Sequence, residues 1–327
     1  IVLLVSIDIP PERGLYILIF LFVLIFIALF IFFVFHKSEN KNLGSFFWLS
    51  KETSILINNW FMMYFLSVVL IGTVYPIFLD VITSKKISVG PPFYNKLLVP
   101  FLIPFLLMMA VGPRLKWIKS QLEGKIYLIT LLIISILLAY LILKNFNQNI
   151  LINTVLVSSA FYLFFISSRD FFSDKLKNIS QNIAHFGFSL FILSILFNNI
   201  FSSEIITNLK VGETFENSET KIFFESLNQK QEANYKSIIA NFNIQNSNGD
   251  IDKFSPELRI YNQPIIVTSE ADIQTSLMKD KFIVINLVQN QKFFNVRYQE
   301  KPFMLWIWLS VMLIAIGGLS GLLKRRL

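Results

Sequence analysis

The chemistry this sequence could perform converges on one side chain, His185. It lies in the run Asn182-Ile183-Ala184-His185-Phe186-Gly187-Phe188-Ser189-Leu190-Phe191-Ile192-Leu193, which stays apolar through Leu196. At 1.5 Å rise per residue such a run is long enough to belong to a bilayer-spanning helix. An ionisable ring in hydrocarbon is costly, and where one occurs it marks a functional hypothesis by default. The chain has 2 histidines, and the other, His36, stands beside Lys37 at the polar end of an apolar run. His185 is therefore the residue a function must explain, with a hydrogen bond to a neighbouring helix as the plain structural alternative.

Two further stretches carry information. The first is Gly72-Thr73-Val74-Tyr75-Pro76, followed by Lys85-Lys86-Ile87-Ser88-Val89-Gly90-Pro91-Pro92-Phe93-Tyr94-Asn95. Gly90-Pro91-Pro92 fixes the backbone and removes two N–H donors, while Phe93 and Tyr94 suit an aromatic belt at a membrane interface. On physical grounds this is a loop entering the next helix, favoured as a rigid interfacial turn over a ligand-binding loop. The second is Lys301-Pro302-Phe303-Met304-Leu305-Trp306-Ile307-Trp308-Leu309, with Gly317-Gly318 and Gly321 further along. Its tryptophans read as an interfacial anchor and its small residues as a close helix contact.

The elements that must position these residues are set by composition. Hydrophobic residues make up 54% of the chain and mean hydropathy is +0.60, which excludes a soluble globular domain. Apolar runs at about Leu15–Phe35, Trp60–Leu79, Leu97–Val111, Tyr127–Leu143, Leu151–Ile166, Ile183–Ile200 and Phe303–Leu323 predict seven transmembrane helices. The expected fold class is thus a polytopic α-helical membrane protein with one β-rich domain inserted before the last helix. Residues 1–200 form the membrane domain, 201–302 the insert, and 303–327 the final helix and basic tail. The first run has no basic start and no small-residue cleavage site, so it reads as a retained helix rather than a secretory signal.

The net charge of +8 invites a nucleic-acid reading. The basic residues, however, lie mostly in short loops between apolar runs and form no aromatic-interleaved stripe, so nucleic acid is set aside. One set of loops carries Lys37, Lys41 and Lys51, then Arg114, Lys116, Lys119 and Lys125, then Arg169, Lys175 and Lys177, then Lys324, Arg325 and Arg326. The other set offers Arg13, Lys85, Lys86, Lys96 and Lys144. By the positive-inside rule the first set is cytoplasmic, which puts the N-terminus and the insert outside and the C-terminus inside. The absence of cysteine excludes disulfides, thiolate metal sites and a cysteine nucleophile.

Alternation at 221–225, 237–244 and 282–288 predicts strands, and Asn248-Gly249-Asp250 a hairpin turn. With about 100 residues the insert can just hold its own core. It has no histidine and no carboxylates at ligand spacing, so it is expected to be a docking surface.

Taken together, several segments resemble the CcmF/NrfE cytochrome c haem lyases, in the family's order and over nearly the whole chain. They are Pro11-Glu12-Arg13-Gly14, Asn58-Asn59, the two stretches from Gly72 to Asn95, Pro100, Pro104 and Gly112-Pro113. Ala184-His185-Phe186-Gly187-Phe188, Ser255-Pro256-Glu257-Leu258-Arg259-Ile260-Tyr261 and the closing segment from Lys301 to Arg326 complete the match. The resemblance implies the C-terminal portion of a lyase that joins haem vinyl groups to the Cys-x-x-Cys-His thiols of apocytochrome c. It implies His185 as one axial ligand of a membrane b-type haem, with haem contacts at Gly90, Pro91, Pro92 and Tyr94. It also implies a haem chaperone, apocytochrome c and other maturation membrane proteins as partners, in a bacterial or mitochondrial inner membrane.

The family's tryptophan-rich loop and second membrane histidine belong upstream of the matched part. A further outside histidine is expected shortly before Pro11, where Val5 stands instead. The expectation is either a lyase divided between two chains, with a separate N-terminal half, or a truncated copy, and in both cases a chain inactive alone. The rival readings are a non-catalytic assembly subunit and a haem transporter component. A transporter should show paired helix breaks or internal repeats, and no convincing repeat is present.

Overall fold

A backbone placed in hydrocarbon must satisfy its own N–H and C=O groups, so runs of this length and apolarity become helices. The computed structural model describes residues 11–35, 50–83, 87–117, 124–145, 150–173, 179–217, 220–246, 249–263, 265–287 and 293–324. Among these, seven helices are long and apolar enough to cross a membrane. They are α1 (Pro11–Phe35), α2 (Lys51–Thr83), α3 (Pro91–Val111), α4 (Lys125–Leu143), α5 (Ile150–Ser173), α6 (Ile179–Phe201) and α7 (Met304–Lys324). All seven expected spans are present. The largest difference is α2, 33 residues beginning at Lys51 rather than near Trp60, because its polar first turns still satisfy their backbone as helix. The readings placed on Val5, His36, Lys37, Lys41, Lys85, Lys86, Lys119, Lys175, Lys177, Asn248, Val288, Arg325 and Arg326 lie outside the described residues.

The chain divides into two units, Ile1–Arg169 and Asp170–Leu327. In the first, α2 and α3 run antiparallel with interleaved aromatic rings. Tyr64 and Phe101 have ring centroids 4.2 Å apart, Phe61 and Phe105 5.9 Å, in the tilted and edge-on arrangements that ring quadrupoles favour. The Tyr64 hydroxyl donates to the Leu97 carbonyl at 3.0 Å. Residues 156–163 of α5 are buried without a break. A helix buried on every face occupies the interior of its bundle rather than the lipid boundary. Ser158 and Ser159 fit there because each hydroxyl donates to a carbonyl of its own helix, at 2.8 and 2.7 Å.

In the second unit ten strands separate α6 from α7. They are β1 (Ser203–Leu209), β2 (Thr214–Glu216), β3 (Thr220–Gln231), β4 (Tyr235–Asn246), β5 (Ile251–Phe254), β6 (Glu257–Asn262), β7 (Ile265–Glu270), β8 (Asp272–Thr275), β9 (Lys279–Leu287) and β10 (Phe294–Pro302). One sheet has the order β1-β10-β9-β8; the other has β2-β3-β4-β6-β7, with β5 also pairing β4. Every pairing is antiparallel. The predicted alternations fall in β3, β4 and β9, and the β4–β5 hairpin turns where Gly249 takes φ +85°.

Alternate residues of both sheets meet in one core: Ile222, Phe224, Phe242 and Ile244 from one, Ile283, Ile285, Val296 and Tyr298 from the other. Each such side chain contributes about 1.5–3 kcal/mol by leaving water. The two strands adjoining the membrane helices, β1 and β10, are themselves paired, so α6 and α7 leave the sandwich side by side.

Candidate functional site

Three small residues of α6, Ser180, Ala184 and Gly187, form a seam with α7. A Cβ added at Gly317 would lie 2.6 Å from the Ala184 nitrogen, and one at Gly187 2.9 Å from the Ile314 nitrogen and 3.0 Å from the Ser310 carbonyl. The two backbones touch, as small residues allow between membrane helices. Gly318 meets nothing within 4 Å, so of the Gly317-Gly318 pair only the first makes this contact.

His185 stands off that seam, because one residue along a helix rotates the side chain by about 100° from Ala184. On another face, the Asn182 side-chain amide donates to the Asp170 carbonyl at 3.0 Å. The Phe186 ring stacks on Phe171 with centroids 5.0 Å apart and planes at 15°. Asp170 also acts electrostatically on the imidazole. The ring is half-buried, and among the described residues neither of its nitrogens makes a hydrogen bond. A neutral imidazole nitrogen can serve as a metal ligand. His185 lies six residues into α6, about 9 Å from its start and about 24 Å of helix from Phe201, where the sandwich begins.

Gly90, Pro91, Pro92 and Tyr94 belong to the first unit. Gly90 is extended, with φ −103° and ψ −178°, and caps α3, while Pro91 and Pro92 are its first two residues rather than part of a loop. Proline suits the first helical turn because its missing N–H would have no partner there. The Gly90 carbonyl accepts the Phe93 N–H at 3.2 Å. Both prolines are exposed. The Tyr94 hydroxyl crosses α2 at Gly72, where a Cβ would sit 2.6 Å from the oxygen. Two motifs distant in sequence are thus one contact, which explains the glycine of Gly72-Thr73-Val74-Tyr75-Pro76. Sequence reasoning missed Asp170 as a neighbour of His185, since nothing in the pattern of α5 marks which residue of its last turn faces α6.

Residues 200–302 match the family model described as the CcmF C-terminal beta-sandwich, the same segment that folds here as two facing sheets. Over 97% of its length the chain is 28% identical to the cytochrome c-type biogenesis protein CcmF of Pseudomonas fluorescens, covering 50% of that protein. It is 25% identical to CcmF of Escherichia coli over the same share of both chains. The sandwich segment belongs to the CcmF C-terminal family, and the chain as a whole is similar to CcmF/NrfE proteins. NrfE of Haemophilus influenzae is 23% identical over 96% of this chain and 51% of its own. A solved structure named Cytochrome c Heme Lyase CcmF superposes on 84% of this chain and 46% of its own with a TM-score of 0.64 at 20% identity, which bears on the fold alone. The chain spans about half the length of the curated relatives it matches. It is a polytopic membrane protein with the family's sandwich set before its last helix.

Proposed function

We propose that this chain is the C-terminal part of a cytochrome c haem lyase in an inner membrane, with His185 as one axial ligand of a b-type haem. The supporting observation is an imidazole on a membrane helix that is fixed through Asn182, Phe186 and the α7 seam, with neither nitrogen hydrogen-bonded among the described residues. When bound, such a haem supplies one-electron chemistry. The chain's own residues hold and orient: His185 offers a neutral nitrogen, and Asn182 and Phe186 set the rotation of its helix.

Gly90, Pro91 and Pro92 form a stiff helix start, braced through Tyr94 on Gly72, against which haem delivered by a chaperone rests. The sandwich offers a docking surface to apocytochrome c on the periplasmic or intermembrane side. The second axial ligand and the tryptophan-rich loop come from the half of the family's length that this chain does not span. No side chain is assigned as acid or base, since holding haem vinyls beside two thiols supplies most of what thioether formation needs.

The test is a reduced-minus-oxidised visible spectrum of the purified chain, alone and co-expressed with the N-terminal half of a CcmF relative. The expected result is a b-type signal with that half present, lost in His185→Ala and restored by free imidazole in His185→Gly. Membranes bearing His185→Ala that keep normal haem and normal c-type cytochromes would overturn the assignment. No haem under either condition favours a non-catalytic assembly subunit.

A further inference from the structure

The strand register locates one turn of the sandwich at the bilayer. In β10, Pro302 pairs with Lys279 of β9, while Phe294 at the other end pairs with Leu287. Pro302 is followed after one residue by α7, so the β8–β9 turn, residues 276–278, lies beside the first turn of a membrane-spanning helix. Two hydrogen bonds tie them together. The Phe303 N–H donates to the Met278 carbonyl at 2.8 Å, and the Trp306 indole N–H donates to the Leu277 carbonyl at 2.9 Å. Phe303, at φ 60°, makes the bend from β10 into α7.

This turn carries Leu277 and Met278 at its tip, 67% and 63% exposed. Two adjacent large apolar side chains at a hairpin tip have no packing role within the sandwich. Indole rings concentrate where hydrocarbon meets headgroups, and one here is bonded to the turn's own backbone. We infer that the β8–β9 tip inserts Leu277 and Met278 into the interfacial zone of the bilayer beside α7. The occupant is phospholipid, and the consequence is a sandwich held at a fixed height and tilt rather than swinging on its two helix connections. The inference rests on the membrane span of α7 and is independent of haem binding.

The natural absence of cysteine makes a single introduced thiol a unique label. Leu277→Cys and Met278→Cys, each labelled with an environment-sensitive fluorophore, are compared with Val211→Cys in full-length chain in phosphatidylcholine and phosphatidylglycerol nanodiscs. Val211 lies in the turn after β1, at the far end of that strand from Ser203, and is 50% exposed. At 3.3 Å per residue the two ends of the sheet are about 20–25 Å apart. Labels at 277 and 278 should emit to the blue and lose roughly half their emission to shallow doxyl-labelled lipids, while the label at 211 is quenched by iodide and not by lipid. Iodide quenching at 277 and 278 equal to that at 211 overturns the inference. So does protection at 277 and 278 from both quenchers, which would mean that protein rather than lipid covers the tip. Because both side chains are exposed, the cysteine variants should fold; a variant that elutes as aggregate is replaced by the other, and the surviving label decides.

Discussion

Gly317 and Gly318 are neighbours of the same type with opposite roles. A side chain at Gly317 must displace the Ala184 backbone, whereas one at Gly318 meets open space. Gly317→Val is expected to cost about 1–3 kcal/mol through overpacking, read as a lower temperature of aggregation in detergent. Gly318→Ala should leave that temperature unchanged or raise it, within about 1 kcal/mol, since glycine inside a helix is the poorer choice. Because Ala184 adjoins His185, Gly317→Val should also shift the spectrum of any haem bound there, and Gly318→Ala should not. The sequence shows both glycines and the histidine. Which glycine is in contact could not be read from it, since that depends on the rotation of α7 against α6.

Adjacent positions on β9 and β10 hold two acids whose titrations have opposite signs. Burial pushes Glu300 up, but hydrogen bonds from Lys279 and Tyr298, both 2.7 Å, and the charges of Lys279 and Lys281 outweigh it and hold the carboxyl below the usual glutamate range. A depressed acid stabilises the fold above its unfolded value, about 4.3, and that stability is lost as pH falls through the folded value. Burial pushes Asp280 up, against weaker bonds from Thr275 and Ser276, and its Oδ1 is buried without a partner. A raised acid acts in reverse, so stability is lost as pH rises from about 3.9 through its folded value. In thermal melts across pH, Glu300→Gln should flatten the acid limb below about pH 4.3. Asp280→Asn should raise the melting temperature at neutral pH and leave it unchanged near pH 3. Alternation made β9 legible as a strand, but it says nothing about which acid a lysine bonds, since each faces one across the strand pair and Glu300 is the one held by Lys279.

At the scale of the molecule, the charge distribution of the short loops is the basis of the proposed orientation. With single cysteines in the cysteine-free chain, a membrane-impermeant maleimide applied to intact spheroplasts should label Val211→Cys. It should label Trp117→Cys, exposed in the loop after α3 among Arg114 and Lys116, only after permeabilisation. The reverse pattern would invert the proposed orientation and place the sandwich in the wrong compartment for apocytochrome c.

The number and order of membrane helices and the existence of a strand-built insert were determined by the sequence itself. Both follow from one-dimensional quantities, namely the length of apolar runs against bilayer thickness and the period of alternation. The conspicuous candidate, His185, was visible for the same reason, since a titratable side chain inside an apolar run needs no neighbours to stand out. Only the tertiary structure decided that Tyr94 braces Gly72, that Asn182 and Phe186 lock the helix of His185 onto the end of α5, and that the β8–β9 tip lies beside Trp306. Each of these joins residues distant in the chain, and such contacts are fixed by helix rotation and strand register. Those are settled by the packing of the whole fold and leave no trace in local composition.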